Sequence, residues 1–547
     1  MAARDAAFAL LLAALFLVAS TWLDSAVASR APAGSRSVGV VADGHLVTMT
    51  AVYGSFARES AEGGGLLVHN HQTALPHAPA QARPWDFLLG KVVGALGWGP
   101  RAFFLVDRAV VVVAFALAFS WLLGRLVSAR AVRWSALVAA FTGGSLYWVW
   151  IAFERAPLRS LLTHWNAEVM GGLSGLGFAF PALLAGVPHL MLELVFLCAA
   201  FRVALAARGP RPWGAALLAG FFIAAHCSVR PYTVPVSLAA VGGLFLYRRA
   251  FVAALLAGLP VLPLLWHYYG VVRGDSVFSS LDVYHPAPSA LEQLVFFGLP
   301  VLPALALLLP GVRARLRERG LVDRDAVVLF GLWAAANLFL VHGERWPGPL
   351  RIGWEVEAML PLPLLVLVLG AVAADALPRR ALAVVLPLFL ALHAVPSWFY
   401  VTEALERAQD PNGGLLLYEG ESTALERLSL EAAAAPSGTG LAVDEPSLVL
   451  LCHNDLARLV PWLAGVRVYY GHPDHVPDAV DVRHQVEAFY RDGRGLAELQ
   501  RRGVTHVLWG PREKLPAYGA DLRQVAGLEV VFEASDVTLF RVDAGAL

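Results

Sequence analysis

The sequence is poor in charge, in lysine and in cysteine, and each shortage excludes a class of protein. Only 15% of the 547 residues are charged, and the net charge is zero, so bulk electrostatics imply no nucleic-acid or other polyanionic partner. Lysine is almost absent, so arginine carries the basic charge. Three cysteines, Cys198, Cys227 and Cys452, are too scattered for a disulfide framework. No internal repeat, low-complexity tract or heptad run is present.

The sequence has long apolar runs instead, with arginine clusters between them. Hydrophobic residues make up 58% of the chain and the mean hydropathy is +0.61, far above that of an average soluble domain. Five arginine clusters occupy every second gap between the runs: Arg125–Arg133, Arg202–Arg211, Arg248–Arg249, Arg313–Arg319 and Arg379–Arg380. Short arginine-rich loops stay on the cytoplasmic side of a membrane, so this alternation predicts a membrane topology.

The apolar runs predict about eleven membrane spans, because about 20 apolar residues cross the hydrocarbon core. The spans are 6–28, 102–124, 134–153, 187–207, 213–229, 232–247, 250–269, 291–311, 325–342, 355–375 and 381–400. With the arginine clusters inside, the N-terminus is cytoplasmic, and the outward segments are 29–101, 154–186, 270–290, 343–354 and the tail from 401. The first run also fits a secretory signal, and its cleavage is left open.

The tail from residue 401 differs from the rest of the chain in its predicted secondary structure, because short strands and helices alternate there. Strands are expected at 440–444, 466–470 and 505–509, and helices at 453–463 and near 482–502. A closing pair at 529–532 and 537–542 predicts a hairpin. We therefore predict a mostly α fold: a polytopic transmembrane helical bundle over 1–400, followed by a small extracytoplasmic α/β domain over 401–547.

The long first outer loop contains the first candidate for chemistry, Asp43. Apolar residues recur at helical spacing from Leu46 to Phe56, so Asp43 is placed to cap that helix. The alternative hypothesis is that the Asp43 carboxylate lies at the membrane surface and acts as general base on an acceptor hydroxyl. Further along, a metal site is a second hypothesis, with His69, His71 and His77 as ligands. An ordinary polar loop is the favoured alternative, because no Cys, Asp or Glu stands at ligand spacing from these histidines.

Other polar residues collect at the outer ends of the spans. Glu154 and His164 follow the third span, where a local ion pair is the simpler interpretation. Arg230 ends the fifth span beside a proline; it suits a lipid phosphate as well as it suits snorkelling to the head groups, and Arg351 is a second outward arginine. Glu193 lies within the apolar fourth span, where acids usually face a partner that the sequence does not identify.

The order of these features resembles the GT-C superfamily of polytopic glycosyltransferases, particularly members related to the dolichyl-phosphate-mannose-type and RgtA-like enzymes. The resemblance covers nearly the whole chain and rests on five loose motifs. They are Ala42–His45 opening a helix in the first outer loop, Glu154 to His164, Arg230–Pro231, Tyr269–Gly270, and the stretch from Trp346 through Gly348 to Arg351. A divergent member is therefore expected, at a bacterial inner membrane.

This resemblance implies an inverting hexosyl- or pentosyltransferase that uses a polyprenyl-phosphate-linked sugar and a lipid, glycan or protein acceptor. Asp43 is implied as the catalytic base. Substrate-binding residues are implied at further positions: His45, Glu154, His164, His226, Arg230, Tyr232 and Arg351. Gly44 stands where many relatives have a second acid, which leaves dependence on a divalent metal open.

Two other classes are weighed beside this one. A transporter or flippase is disfavoured because no paired half-repeats or matched broken helices are present. A non-catalytic envelope-assembly protein, whose tail binds a partner, predicts no role for Asp43. The sugar, the acceptor, the oligomeric state and the role of the tail are left open.

Overall fold

The computed structural model divides the chain into two compact units. It describes residues 2–38, 44–75, 79–143, 188–230, 233–272, 298–320, 323–341, 362–395, 397–398, 401–402, 405, 416–434, 448–471, 476–514, 518–534 and 536–543. One unit, here the helical unit, comprises Met1–Leu23, Asp107–Trp266 and Tyr284–Ala404. The other, the mixed unit, comprises Asp24–Val106, His267–Val283 and Leu405–Leu547. The sequence assigns residues 29–101 to the transmembrane domain, whereas the contacts group them with the tail.

Helices form within all eleven predicted spans, because each apolar run satisfies its backbone hydrogen bonds internally. The helices are α1 (Ala3–Ala28), α2 (Gly44–Ala61), α3 (Pro84–Ala95), α4 (Ala102–Leu126), α5 (Arg130–Thr142), α6 (Pro188–Ala206), α7 (Trp213–Val229), α8 (Val234–Tyr247), α9 (Phe251–Gly258), α10 (Leu262–Trp266), α11 (Val301–Leu305), α12 (Pro310–Glu318), α13 (Arg324–Val341), α14 (Leu362–Asp375) and α15 (Arg379–His393). Of these, α2 and α3 belong to the first outer loop. The predicted outward segment 154–186 lies outside the described residues.

Two of these helices, α1 and α4, are long and apolar enough to cross a membrane. Four further apolar helices in the described part of the chain are shorter, at Trp213–Val229, Val234–Tyr247, Phe251–Trp266 and Pro363–Asp375. The mostly helical fold with a small C-terminal sheet is thus confirmed. The count of eleven spans stays a prediction.

Arginines from three predicted inner loops meet at one pair of carboxylates in the helical unit. Asp323 accepts from Arg125 and, at 2.8 Å, from Arg208. Asp325 accepts from Arg248 at 2.7 Å. Since these arginines belong to three different clusters, the loops that carry them lie together at one end of the unit.

The N-terminus and the remaining inner loops show the same pattern. Arg133 pairs with Asp5 at 2.9 Å. Arg319 donates to the carbonyl of Asp375 at 2.9 Å, and the Asp375 carboxylate accepts from the backbone N–H of Ser128 at 2.7 Å. The arginine-containing loops, which the sequence predicts on the same side of a membrane, therefore contact one another. Which face of a membrane this end meets stays a prediction.

The mixed unit is built on a five-stranded sheet. The strands in the described part of the chain are β1 (Ser35–Ser37), β2 (Leu67–Val68), β3 (Gln81–Ala82), β4 (Leu416–Tyr418), β5 (Val449–Leu451), β6 (Arg467–Val468), β7 (His506–Trp509), β8 (Leu528–Ala534) and β9 (Val537–Val542). The sheet order is β6-β5-β7-β9-β8, parallel across β6, β5 and β7 and antiparallel beyond. The predicted closing hairpin is confirmed as β8 and β9.

Helices cover this sheet and complete the α/β pattern. They are α16 (Glu419–Ala434), α17 (Asn454–Ala457), α18 (Val460–Ala464), α19 (Ala479–Asp492) and α20 (Leu496–Arg501). The single helix predicted over 453–463 is two short ones, because Pro461 can only begin a helix and not continue one. The strand predicted at 440–444 lies outside the described residues.

The first outer loop folds onto the tail within this unit. Strand β1 pairs with β4, and Thr73 forms an isolated bridge with Tyr470. Trp462 packs edge-on against Phe104 at 4.8 Å between ring centroids. Gly54 of α2 lies so close to Trp462 that an added Cβ would meet its ring at 2.8 Å, so this position admits only glycine without a shift of the indole.

Candidate functional site

Two of the predicted site residues, His226 and Arg230, lie beside Glu193 in the helical unit. Glu193 belongs to α6, and His226 belongs to the last turn of α7. Arg230 precedes Pro231, and a residue before proline avoids the helical region. Its backbone is accordingly extended, with φ −141° and ψ 96°, and it ends α7.

The Glu193 carboxylate is the centre of this cluster. Its Oε1 accepts from the Thr233 hydroxyl at 2.7 Å and faces His226 Nε2 at 3.1 Å. Its Oε2 lies 3.5 Å from Nη1 of Arg230. Glu193 is fully buried, so these donors replace the water that its charge would otherwise require. The structure thereby supplies the partners that the sequence could not identify.

His226 is held on both sides of its ring. Nε2 also lies 2.6 Å from the Thr233 hydroxyl, and Nδ1 lies 3.1 Å from the Ser237 hydroxyl. The ring is fully buried, so in this arrangement His226 orients Glu193 and Thr233. Its predicted contact with substrate stays a prediction.

Arg230 is the most accessible member of this group, with 13% of its side chain exposed. A guanidinium presents donors in a planar fork that fits phosphate oxygens, and the nearby Glu193 carboxylate offsets part of its charge when no anion is bound. The arrangement therefore places the positive charge of Arg230 at the end of α7, where Glu193 partly neutralises it.

The helix that the sequence predicts after Asp43 is present in the first outer loop. Helix α2 begins at Gly44, and His45 is its second residue. Asp43 itself lies outside the described residues, and so do Glu154, His164, Tyr232 and Arg351. Their roles stay predictions.

A second buried carboxylate cluster lies at the other end of α2. His69 Nδ1 donates to Glu59 Oε1 at 2.7 Å, and His71 Nε2 donates to Glu59 Oε2 at 2.8 Å. The backbone N–H of His69 adds a third hydrogen bond at 3.1 Å. Burial favours the neutral acid, but the histidine hydrogen bonds outweigh it and lower the pKa of Glu59 from 4.5 to about 2.

This cluster does not fit a metal ion. The two histidines bind a carboxylate, and the buried guanidinium of Arg467 is close enough to act on both His71 and Glu59 electrostatically. Within the described ranges, no three His, Cys, Asp or Glu side chains are grouped to hold a metal. His77, the third histidine of the predicted set, lies outside those ranges.

The Glu59 cluster predicts acid sensitivity of the mixed unit. In the unfolded chain Glu59 takes up a proton near its ordinary pKa of 4.5, whereas in the folded chain it resists protonation down to about 2. The stabilisation is complete above pH 4.5 and is lost as the pH falls toward 2, a change of about 3 kcal/mol. His71 acts in the same direction at higher pH, because burial lowers its pKa and acid therefore favours the unfolded chain.

Thermal unfolding of the full chain between pH 6 and pH 3, followed by tryptophan fluorescence, measures this loss. Glu59→Gln is expected to reduce the fall in melting temperature at low pH. Glu62→Gln, which removes a partly exposed carboxylate from the adjoining turn, is expected to leave that fall unchanged. An equal fall in melting temperature at low pH in wild type and Glu59→Gln would contradict the assignment of acid sensitivity to Glu59.

Sequence reasoning named Glu193, His69 and His71 but not what they contact. Glu59 and Arg467 were missed because they lie far apart in the chain and neither stands at ligand spacing from the histidines. One usable signal was present: His69 and His71 share a side of an extended segment, which lets both rings reach one acceptor.

Comparison with known proteins gives a likeness of fold alone. No protein-family model matches the sequence, and no curated protein matches it significantly. Among solved structures, the arabinofuranosyltransferase AftD from Mycobacteria matches at 16% identity with a TM-score of 0.52. That match covers 100% of this chain and 40% of the other, so this chain spans less than half of its length.

Two other solved structures give similar results. A mutant of the same arabinofuranosyltransferase matches at 16% identity and a TM-score of 0.50, over 100% of this chain and 42% of that one. The Archaeoglobus fulgidus oligosaccharyltransferase, solved with a tethered acceptor peptide, matches at 13% identity and a TM-score of 0.47, over 91% and 69%.

Proposed function

We propose that this chain, which by its fold is a divergent member of the GT-C glycosyltransferases, is an integral-membrane glycosyltransferase. It transfers a sugar from a polyprenyl-phosphate donor to a lipid, glycan or protein acceptor at the outer face of a bacterial inner membrane. In this proposal about eleven spans cross the bilayer, the N-terminus is cytoplasmic, and the mixed unit is extracytoplasmic.

The observation that carries the proposal is the match in fold to an arabinofuranosyltransferase over the full length of this chain. The positions of the helices support it, since every predicted span contains one. The contacts among the arginine loops also support the topology, because loops assigned to the same side of the membrane meet.

The proposed reaction needs one base and one cation. The Asp43 carboxylate takes the proton of the acceptor hydroxyl, whose oxygen forms a bond to the anomeric carbon of the sugar. The bond between that carbon and the phosphate oxygen breaks, so the configuration inverts and polyprenyl phosphate leaves. Arg230 and Arg351 are proposed to bind the departing phosphate.

Incubation of the purified full chain with a panel of radiolabelled polyprenyl-phosphate sugars tests the proposal. We expect release of polyprenyl phosphate, together with label on an acceptor, for at least one member of the panel. A matched panel of nucleotide sugars is the control. Transfer from a nucleotide sugar alone, or no release from any lipid-linked donor in membranes that contain native acceptors, would contradict the assignment.

A further inference from the structure

The mixed unit contains a cavity of about 590 Å³ that is lined by both charged and apolar residues. Its wall is formed by strand β1, helix α16 and the segment 97–102 that leads into helix α4. None of the residues assigned above to donor or acceptor is among the described residues that line it. The cavity is therefore a feature that the proposed transfer reaction does not use.

Two arginines supply most of the charge of this cavity. Nη2 of Arg101 donates to the carbonyl of Ser37 at 2.9 Å. Arg36 donates to the Ser422 hydroxyl and lies 3.4 Å from Glu426, in a pair whose two side chains are more than half exposed. Such an exposed pair is weak, so Glu426 offsets the two guanidinium groups only in part.

The arginines are near enough to each other to repel. Burial lowers the pKa of Arg101, and the charge of Arg36 lowers it further. In the described part of the chain no carboxylate pairs with Arg101. A singly or doubly charged phosphate between these groups would relieve the repulsion and accept hydrogen bonds from both guanidinium groups.

The apolar part of the cavity favours a ligand with an alkyl chain. Trp98 and Leu105 line it, and about half of each side chain is exposed. Leu105 lies in the first turn of α4, one of the two helices long and apolar enough to cross a membrane. Tryptophan and arginine at the end of such a helix are typical of the level of lipid head groups.

Exposed apolar residues also lie along α3, which precedes the cavity segment 97–102 in the chain. Leu88, Val92 and Leu96 are each about half exposed and recur at a spacing of four, so they form one apolar face. This face precedes Trp98 in the chain and is suited to lie at the membrane surface. We propose that the cavity binds the phosphate head group of an anionic membrane lipid, with Arg36 and Arg101 on the phosphate and Trp98 and Leu105 against the alkyl chain.

Binding of dioleoyl phosphatidic acid to the delipidated full chain in detergent tests this assignment. Dioleoyl phosphatidylcholine is the zwitterionic control, and inorganic phosphate tests whether the anion alone suffices. We expect tight binding of phosphatidic acid, weaker binding of phosphatidylcholine, and no competition by millimolar inorganic phosphate. Equal affinities for the two lipids, or full competition by inorganic phosphate, would overturn the assignment to an anionic lipid.

Variants of the charged residues make the test specific. The double variant Arg36→Gln and Arg101→Gln is expected to weaken phosphatidic acid binding about tenfold or more, because each charge-assisted hydrogen bond contributes substantially. Arg427→Gln is the matched control, since it removes an exposed arginine from the same helix α16 without touching the cavity. Equal binding in the double variant and the control would refute the site.

A gain in affinity separates binding from misfolding. Glu426→Gln removes the exposed carboxylate that competes with a phosphate for Arg36, so phosphatidic acid is expected to bind more tightly, by about threefold. Loss of folding cannot produce such a gain. Unchanged or weaker binding in Glu426→Gln would count against the proposed position of the phosphate.

Discussion

Asp43→Asn is expected to abolish sugar transfer while the protein stays folded. A positioned general base contributes about 10² to 10⁴ in rate, so turnover should fall by at least the lower figure. Asparagine caps a helix about as well as aspartate, so the start of α2 at Gly44 should be unaffected. The substitution therefore removes the proton acceptor and keeps the cap. The measurement is the initial rate of label transfer, with the melting temperature recorded on the same sample.

Glu62→Gln provides the matched control for this experiment. Glu62 also lies in the first outer loop, where it pairs with Arg58 at 2.6 Å in a partly exposed i,i+4 contact. Such a pair contributes little to stability, and transfer should continue at close to the wild-type rate. If Asp43→Asn turned over as fast as Glu62→Gln, Asp43 would be a helix cap and no more, and the alternative of a non-catalytic assembly protein would gain.

Glu193→Ala is expected to destabilise the helical unit by about 3–5 kcal/mol, the usual cost of removing one partner of a buried ion pair. The substitution leaves Arg230 without this carboxylate and takes an acceptor from Thr233 and His226. Glu193→Gln keeps an acceptor oxygen and the side-chain volume, so its cost should be smaller. Thermal unfolding in detergent or lipid nanodiscs measures both.

Glu318→Ala is the control, because Glu318 is an exposed acid at the end of α12 in the same unit. We expect it to melt with the wild type. A Glu193→Ala protein that melted together with Glu318→Ala would show that the cluster contributes nothing to stability, and that Arg230 does not depend on it.

The helices within the predicted spans could be predicted from sequence because long apolar runs indicate them. An apolar run near 20 residues has few alternatives in a membrane, and α1 and α4 begin within about three residues of the predicted positions. The arginine alternation likewise anticipated which loops meet, since Arg125, Arg208 and Arg248 converge on the loop of Asp323.

Strands and long-range pairings were harder to predict. Val449–Leu451 was missed because a short apolar run does not distinguish a strand from a buried helix. The partner of Leu416–Tyr418 is the polar segment Ser35–Ser37, which carries no strand signal. The partners of Glu59 and Glu193 could not be predicted either, because tertiary packing and not a local sequence pattern brings them together.

The pairing of β1 with β4 also affects biogenesis. Ser35 and Tyr418 are partners across 383 residues of chain. A ribosome needs about 20 to 80 s to synthesise that length, so Ser35–Ser37 is complete long before its strand partner exists. During this interval Gly54 and Arg58 of α2 also lack their contacts with Trp462 in the tail. The order of translation, and not the local sequence, therefore sets the earliest moment at which the mixed unit can fold completely.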